Sequence, residues 1–158
     1  MDGSVFEAST KVQGSVDELF CFHSDPHNIS LVMPPTTRIL SVETDGPAEE
    51  GRTISLKMRE LLVLPMHWTA VWKKVQRPTL LVDAVLKGPF RLFVHEHHFE
   101  AQPDGTCVMR DRVTFAWGSG WSGRLVTRVL VLHALKLLFA WRHWRTRRLF
   151  SARDPRVL

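Results

Sequence analysis

The chain contains no tyrosine and only two cysteines, Cys21 and Cys107. The first absence removes any tyrosine-based acid or oxyanion donor. The second excludes a disulfide framework and a four-thiolate zinc site. No glycine or proline falls between Arg124 and Ala152, so nothing there interrupts a long helix. Acids are scarce at the same end. Residues 112–158 carry 10 Lys/Arg and one acid, Asp154, whereas residues 1–111 carry 11 Lys/Arg and 15 Asp/Glu. An acidic body with a basic end raises the question of an anionic partner. Long apolar runs are missing too: Leu125–Trp141 includes Arg128, His133 and Lys136, which argues against a membrane span. The start, MDGSVFEAST, lacks the basic residues and apolar run of a secretory signal, so a reducing cytoplasm is the expected compartment. What is present is ordinary for one globular domain with a real core: 158 residues, 44% hydrophobic and 23% charged.

Residues 4–12 alternate as a first strand, and Gly14 breaks it. Ser15 and Glu18 have capping-box spacing ahead of a short helix over 16–23. Ser24 or Asp25 caps a second short helix starting at Pro26, which Pro34-Pro35 ends. From 38 to 116 the period is two, with Ile54, Leu56 and Met58 on one face as the clearest case. Turn signals at Asp45-Gly46-Pro47, Arg77-Pro78, Gly88-Pro89 and Pro103-Asp104-Gly105 delimit strands near 38–44, 51–60, 66–76, 80–87, 91–101 and 106–116. Short connections between successive strands predict an antiparallel meander. A helix over 123–150 follows, apolar on two sides. Val126, Val129, Leu130, His133, Leu137, Ala140 and Trp144 are assigned to the sheet. Val131, Leu135 and Leu138 lie opposite, as a surface for a homodimer.

This order, with Phe20-x-Phe22-x-x-Asp25-Pro26-x-Asn28, Pro34-Pro35, Gly51, Trp68, Asp83, Gly88-Pro89-Phe90, His95-x-His97-x-Phe99 and Gly105-Thr106 leading to Asp111, resembles bacterial ligand-binding members of the SRPBCC superfamily. That group includes START lipid-transfer domains, the birch pollen allergen and aromatic polyketide cyclases. The resemblance spans nearly the whole chain. It implies an α+β helix-grip fold, a curved antiparallel sheet of about seven strands around the long C-terminal helix, enclosing an apolar cavity. It says less about chemistry, because the fold serves carriers, sensors and cyclases alike.

In residues 91–100 the odd positions put Phe93, His95, His97 and Phe99 on one face, and in the next strand they align Cys107, Met109, Asp111, Val113 and Phe115. Both faces are expected to meet the cavity. Pairing about the Pro103–Gly105 turn sets His97 opposite Asp111. Asp83 comes near His95 if the Gly88-Pro89-Phe90 connection has three residues, and turns to the other face if it has two. Three readings of the imidazoles and carboxylate stand. They form a self-satisfied buried pair, they bind a ligand carbonyl or hydroxyl, or they act as general base (His97) and orienter (Asp111). Trp68 and Trp72 share a face and, with Leu56, Phe93, Phe99 and Phe115, are candidates to line the pocket; filling core is the commoner fate of such residues. His133 is the polar group the helix offers to the cavity.

His95-x-His97 could chelate a metal with Asp111, Asp83, His133 or Cys107 as third ligand, but no spacing demands one. No metal and no cofactor is expected. Both cysteines read as small apolar fillers. Gly118–Gly123 lacks the ending of a phosphate loop and reads as a gate over the cavity with Trp121 as plug. The basic end, Arg142, Arg145, Arg147 and Arg148 with Trp144 and Phe150, exceeds what helix capping needs. It suits an anionic membrane surface, with nucleic acid ranked well below. The expected activity is binding or transport of a hydrophobic small molecule such as a lipid, polyketide or aromatic metabolite. A cyclase or dehydratase and a membrane-peripheral adaptor are the alternatives.

Overall fold

The computed structural model describes residues 3–118, 120 and 127–152. Strand β1 (Ser4–Gln13) ends at Gly14, whose φ of +140° and close packing both require glycine. A Cβ there would lie 3.0 Å from the Phe150 ring and 3.3 Å from Leu19. Helix α1 (Val16–Ser24) opens with the predicted capping box. The Glu18 amide donates to Ser15 Oγ at 3.2 Å, and the Ser15 amide to Glu18 Oε2 at 2.6 Å, an arrangement worth about 1 kcal/mol. Asp25 caps a 3₁₀ turn over Pro26–Asn28, which runs into the one-turn helix α2 (Ile29–Val32).

Six strands then follow in sequence: β2 (Arg38–Thr44), β3 (Thr53–Glu60), β4 (Leu64–Gln76), β5 (Leu80–Lys87), β6 (Leu92–Ala101) and β7 (Thr106–Ala116). All pairings are antiparallel, and β7 closes onto β1, giving the order β1-β7-β6-β5-β4-β3-β2. Register shifts at Ile39/Ser41, Thr69/Ala70 and Trp72/Lys74 interrupt the ladders of β2 and β4. Such bulges bend a strand, and here they curve the sheet toward its concave, apolar face. On that face Ile54 pairs with Ala70, Leu56 with Trp68 and Met58 with Met66.

A π-helical turn (Thr127–Val131) leads into the long helix α3 (Leu132–Ser151). The architecture is the helix-grip fold: the curved sheet wraps one side of α3, and α1 and α2 cover one end. Among the described residues no helix is long and apolar enough to cross a membrane.

Three expectations are corrected. Helix α3 is turned about its axis from the predicted orientation. Leu135, Phe139, His143, Thr146, Leu149 and Phe150 face inward, while Leu137 is 75% exposed and Trp144 41% exposed. The face set aside for a dimer therefore holds Leu135, a core residue. Both faces carry aliphatics, and the inward one is marked by residues that read as polar. Cys21 is exposed rather than packed among the phenylalanines, with the Arg77 guanidinium 3.3 Å from its sulfur. The four arginines also do not share one surface: Arg147 and Arg148 are exposed, whereas Arg142 and Arg145 are half-buried. Arg142 lies in the cavity wall, Arg145 donates to the Leu31 carbonyl, Arg147 donates to Thr10 Oγ1, and Arg148 stacks over Trp144. Trp121, with its gate, and Val126 lie outside the described residues.

Candidate functional site

The strand alternation brings a polar cluster to the middle of the apolar face. Register sets Asp83 opposite His95 and His97 opposite Asp111, the pairing expected of a three-residue connection, although residues 88–91 between β5 and β6 number four. Asp111 is the hub, 1% exposed. Its Oδ1 accepts from His95 Nε2 at 2.9 Å and its Oδ2 from His143 Nε2 at 2.5 Å. His97 Nδ1 lies 2.6 Å from Oδ1, a close polar contact without the alignment of a hydrogen bond. Asp83 Oδ2 stands 3.6 Å from His95 Nδ1, beyond hydrogen-bond reach.

Burial alone would push the Asp111 carboxyl up, but the field of His97 and the contacts from His143, His95 and His97 hold it well below the usual range. It is ionised and acceptor-only, so the nitrogens of His95 and His143 bonded to it bear hydrogen. Burial and then the neighbouring His95 pull His97 down to about 4, against the attraction of Asp111. Burial also lowers His95, and both imidazoles are neutral at pH 7. His23 on α1, its ring centre 5.0 Å from that of His97, is lowered well below its ordinary value, again chiefly by burial. Asp83 moves oppositely: burial raises it to about 6. Acid and imidazole are displaced toward each other's ordinary ranges.

The cluster forms one wall of a cavity of about 630 Å³ between α3, α1–α2 and strands β3–β6. Its other walls are apolar, including Leu56, Trp68, Trp72, Phe93 and Phe139, and Leu61 and Leu137 stand among its outer residues. Leu61 belongs to the β3–β4 tip, where Leu61, Leu62, Val63 and Leu64 are all more than half exposed. Leu61 and Leu62 hold φ of 50° and 63° there, a left-handed conformation uncommon outside glycine.

Of the residues proposed from sequence, Trp68, Trp72, Phe93, His95 and His97 line the cavity. Asp111 does not line it but contacts His95 and His97. Phe99 and Phe115 do not reach the cavity. Phe99 packs against Phe20 and the His23 ring under α1, and Phe115 is sealed beside Phe6, Leu135 and Phe139. His133 is exposed, its Nδ1 lying 2.5 Å from the Val129 carbonyl one turn earlier; the orientation of α3 turns it outward. Sequence reasoning missed His23, Arg142 and His143. The signal for His143 was the spacing Leu135, Phe139, His143, Thr146, which repeats on one helical face.

Donor atoms of Asp83, His95 and His97 lie within 4.8 Å of one another, the set through which this wall could meet a metal ion. Arg142 in the same wall supplies a fixed positive charge that opposes a divalent cation.

The sequence matches no protein-family model and no curated protein. Solved structures do match. A Nitrosomonas europaea protein aligns with a TM-score of 0.74 at 9% identity over 96% of each chain. Norcoclaurine synthase from Thalictrum flavum, bound to a transition-state analogue, aligns at 0.69 with 13% identity over 97% of each. The di-domain ARO/CYC StfQ of the steffimycin pathway aligns at 0.76 with 12% identity, covering 97% of this chain and 52% of that one. The likeness at these identities is one of fold.

Proposed function

We propose that this protein binds a hydrophobic small molecule, a lipid, polyketide or other aromatic metabolite, inside the helix-grip cavity. The observation that carries the reading is the cavity itself: about 630 Å³, apolar on most sides, with neutral imidazoles converging at one wall. That size and make-up suit a ligand pocket. Burying about 300 Å² of apolar ligand surface is worth about 7 kcal/mol before the entropy of association is subtracted. His95 and His97, braced from behind by Asp111, would orient a ligand carbonyl or hydroxyl. Small molecules occupy this fold elsewhere: norcoclaurine synthase is known in complex with dopamine and hydroxybenzaldehyde.

Native mass spectrometry of freshly purified protein, followed by denaturing spectra of the same sample, tests the reading. Extra mass that disappears on denaturation supports a bound ligand and reports its size. Bare protein mass, with no thermal shift from a panel of hydrophobic metabolites, removes a tight carrier.

One observation favours a second reading, an enzyme of the cyclase or dehydratase kind. A neutral imidazole at about 4 and a carboxyl at about 6 share the wall, so His97 is free to take a proton and Asp83 retains part of one to give near neutrality. His97→Ala separates the two. An enzyme loses turnover and keeps its ligand, whereas a carrier loses affinity or changes little.

A further inference from the structure

Arg142 is the only Lys or Arg among the described residues that line the cavity. It keeps some accessible surface, yet among the described residues no acceptor takes its N–H groups and no carboxylate lies within 4.0 Å. The guanidinium stands over a ring instead, its carbon 5.1 Å from the centre of Phe139. A guanidinium remains charged in a protein and carries five donors in a planar fork. Enclosing that fork without an acceptor is costly, and a site that keeps it so has room for an acceptor from outside.

The rest of the wall leans the same way. Among the described residues Trp72 Nε1, Trp141 Nε1 and His23 Nε2 are buried without a partner, and all three residues belong to this cavity. Both indoles are donors only. The cavity thus has donors to spare. Its one lining acid among the imidazoles, Asp83, feels Arg142 at long range only, and burial holds its carboxyl at about 6. It loses its charge at small cost when another anion takes the fork.

We propose that the ligand is an amphiphile whose hydrophobic body ends in a carboxylate, and that Arg142 receives that carboxylate as a planar, two-pronged partner. The inference rests on the cavity being a ligand site. Arg142 is the one cation of this wall among the described residues and already feels the ionised Asp111 at a distance, so a singly charged carboxylate adds less unmatched charge to a water-poor wall than a doubly charged phosphate.

Matched pairs of acid and neutral amide test this on the full chain: 2-naphthoate against 2-naphthamide, and octanoate against octanamide, titrated at pH 7 by calorimetry. The wild-type protein is expected to prefer the acid of at least one pair by about tenfold or more, the scale of a hydrogen bond to a charged group. Arg142→Met should bring that ratio close to one, and Arg142→Lys should keep part of it. Equal affinity for acid and amide in the wild-type protein overturns the proposal while leaving the cavity reading intact. So does a preference that survives Arg142→Met. Binding of none of the four probes, with bare protein in the native spectrum, removes the cavity reading and this inference together. Should Arg142→Met fail to fold, the wild-type ratio and Arg142→Lys still decide.

Discussion

Of the two halves of α3, residues 132–141 hold eight apolar residues and residues 142–151 only three, yet the second half is the better buried. In the C-terminal half, His143, Thr146, Leu149 and Phe150 are all buried, locked under α1 where Gly14 lets β1 approach the Phe150 ring. In the N-terminal half only Leu135 and Phe139 are buried, while Leu137 faces out and the cavity opens beneath. One half acts as core and the other as a roof. The polar cluster sits at the seam, with His143 reaching Asp111 from the packed side and His95 and His97 presented to the open side. Packed core and cavity roof are therefore divided along one helix, and the division can be tested.

The largest effect is expected at the seam. Asp111→Ala leaves three imidazoles around a missing acceptor and should cost about 3–5 kcal/mol in urea unfolding. A loss under about 1 kcal/mol would mean the cluster is not the keystone the geometry makes it. Leu149→Ala, in the packed half, should cost about 3 kcal/mol, because the sealed surroundings cannot collapse into the space.

Asp83→Asn should stabilise. The folded protein holds the Asp83 proton up to about pH 6, against an ordinary 3.8, so the stability it confers is full below pH 3.8 and lost as pH rises through 6. At about 1.4 kcal/mol per pH unit the loss approaches about 3 kcal/mol above pH 6, and the amide variant escapes it. His97 has the reverse sign. Its proton affinity falls from an ordinary 6.5 to about 4, so its contribution is present above pH 6.5 and lost as pH falls through 4. Thermal melts from pH 4 to 8 should thus show Asp83→Asn gaining most at the alkaline end and declining more steeply than wild type on acidification. A uniform gain at every pH would rule out the proton linkage. The smallest effect belongs to the roof: Leu137→Ser should change stability by less than about 0.5 kcal/mol, and a cost near that of Leu149→Ala would erase the contrast between the halves.

Much of this was legible beforehand because strands repeat every two residues. Parity placed His95, His97 and Asp111 on inward faces, the Pro103–Gly105 turn set His97 opposite Asp111, and the capping box at Ser15 marked the start of α1. Helix α3 defeated the same reasoning. Its period allows several apolar stripes, and the true inward stripe contains His143, Thr146 and Arg142, which a hydrophobicity pattern sends to solvent. His133 and His143 are both histidines on the same helix, and only the rotation distinguishes them.

Local pattern thus determined the element order, the β6–β7 register and the identity of the two facing imidazoles, because turns and alternation act over a few residues. Tertiary packing decided which side of α3 faces in, which aromatics border space rather than one another, and that His143 and Arg142 join the wall. Those outcomes depend on how one helix settles against a curved sheet, where contacts distant in sequence compete and the arrangement that best fills the sealed end prevails.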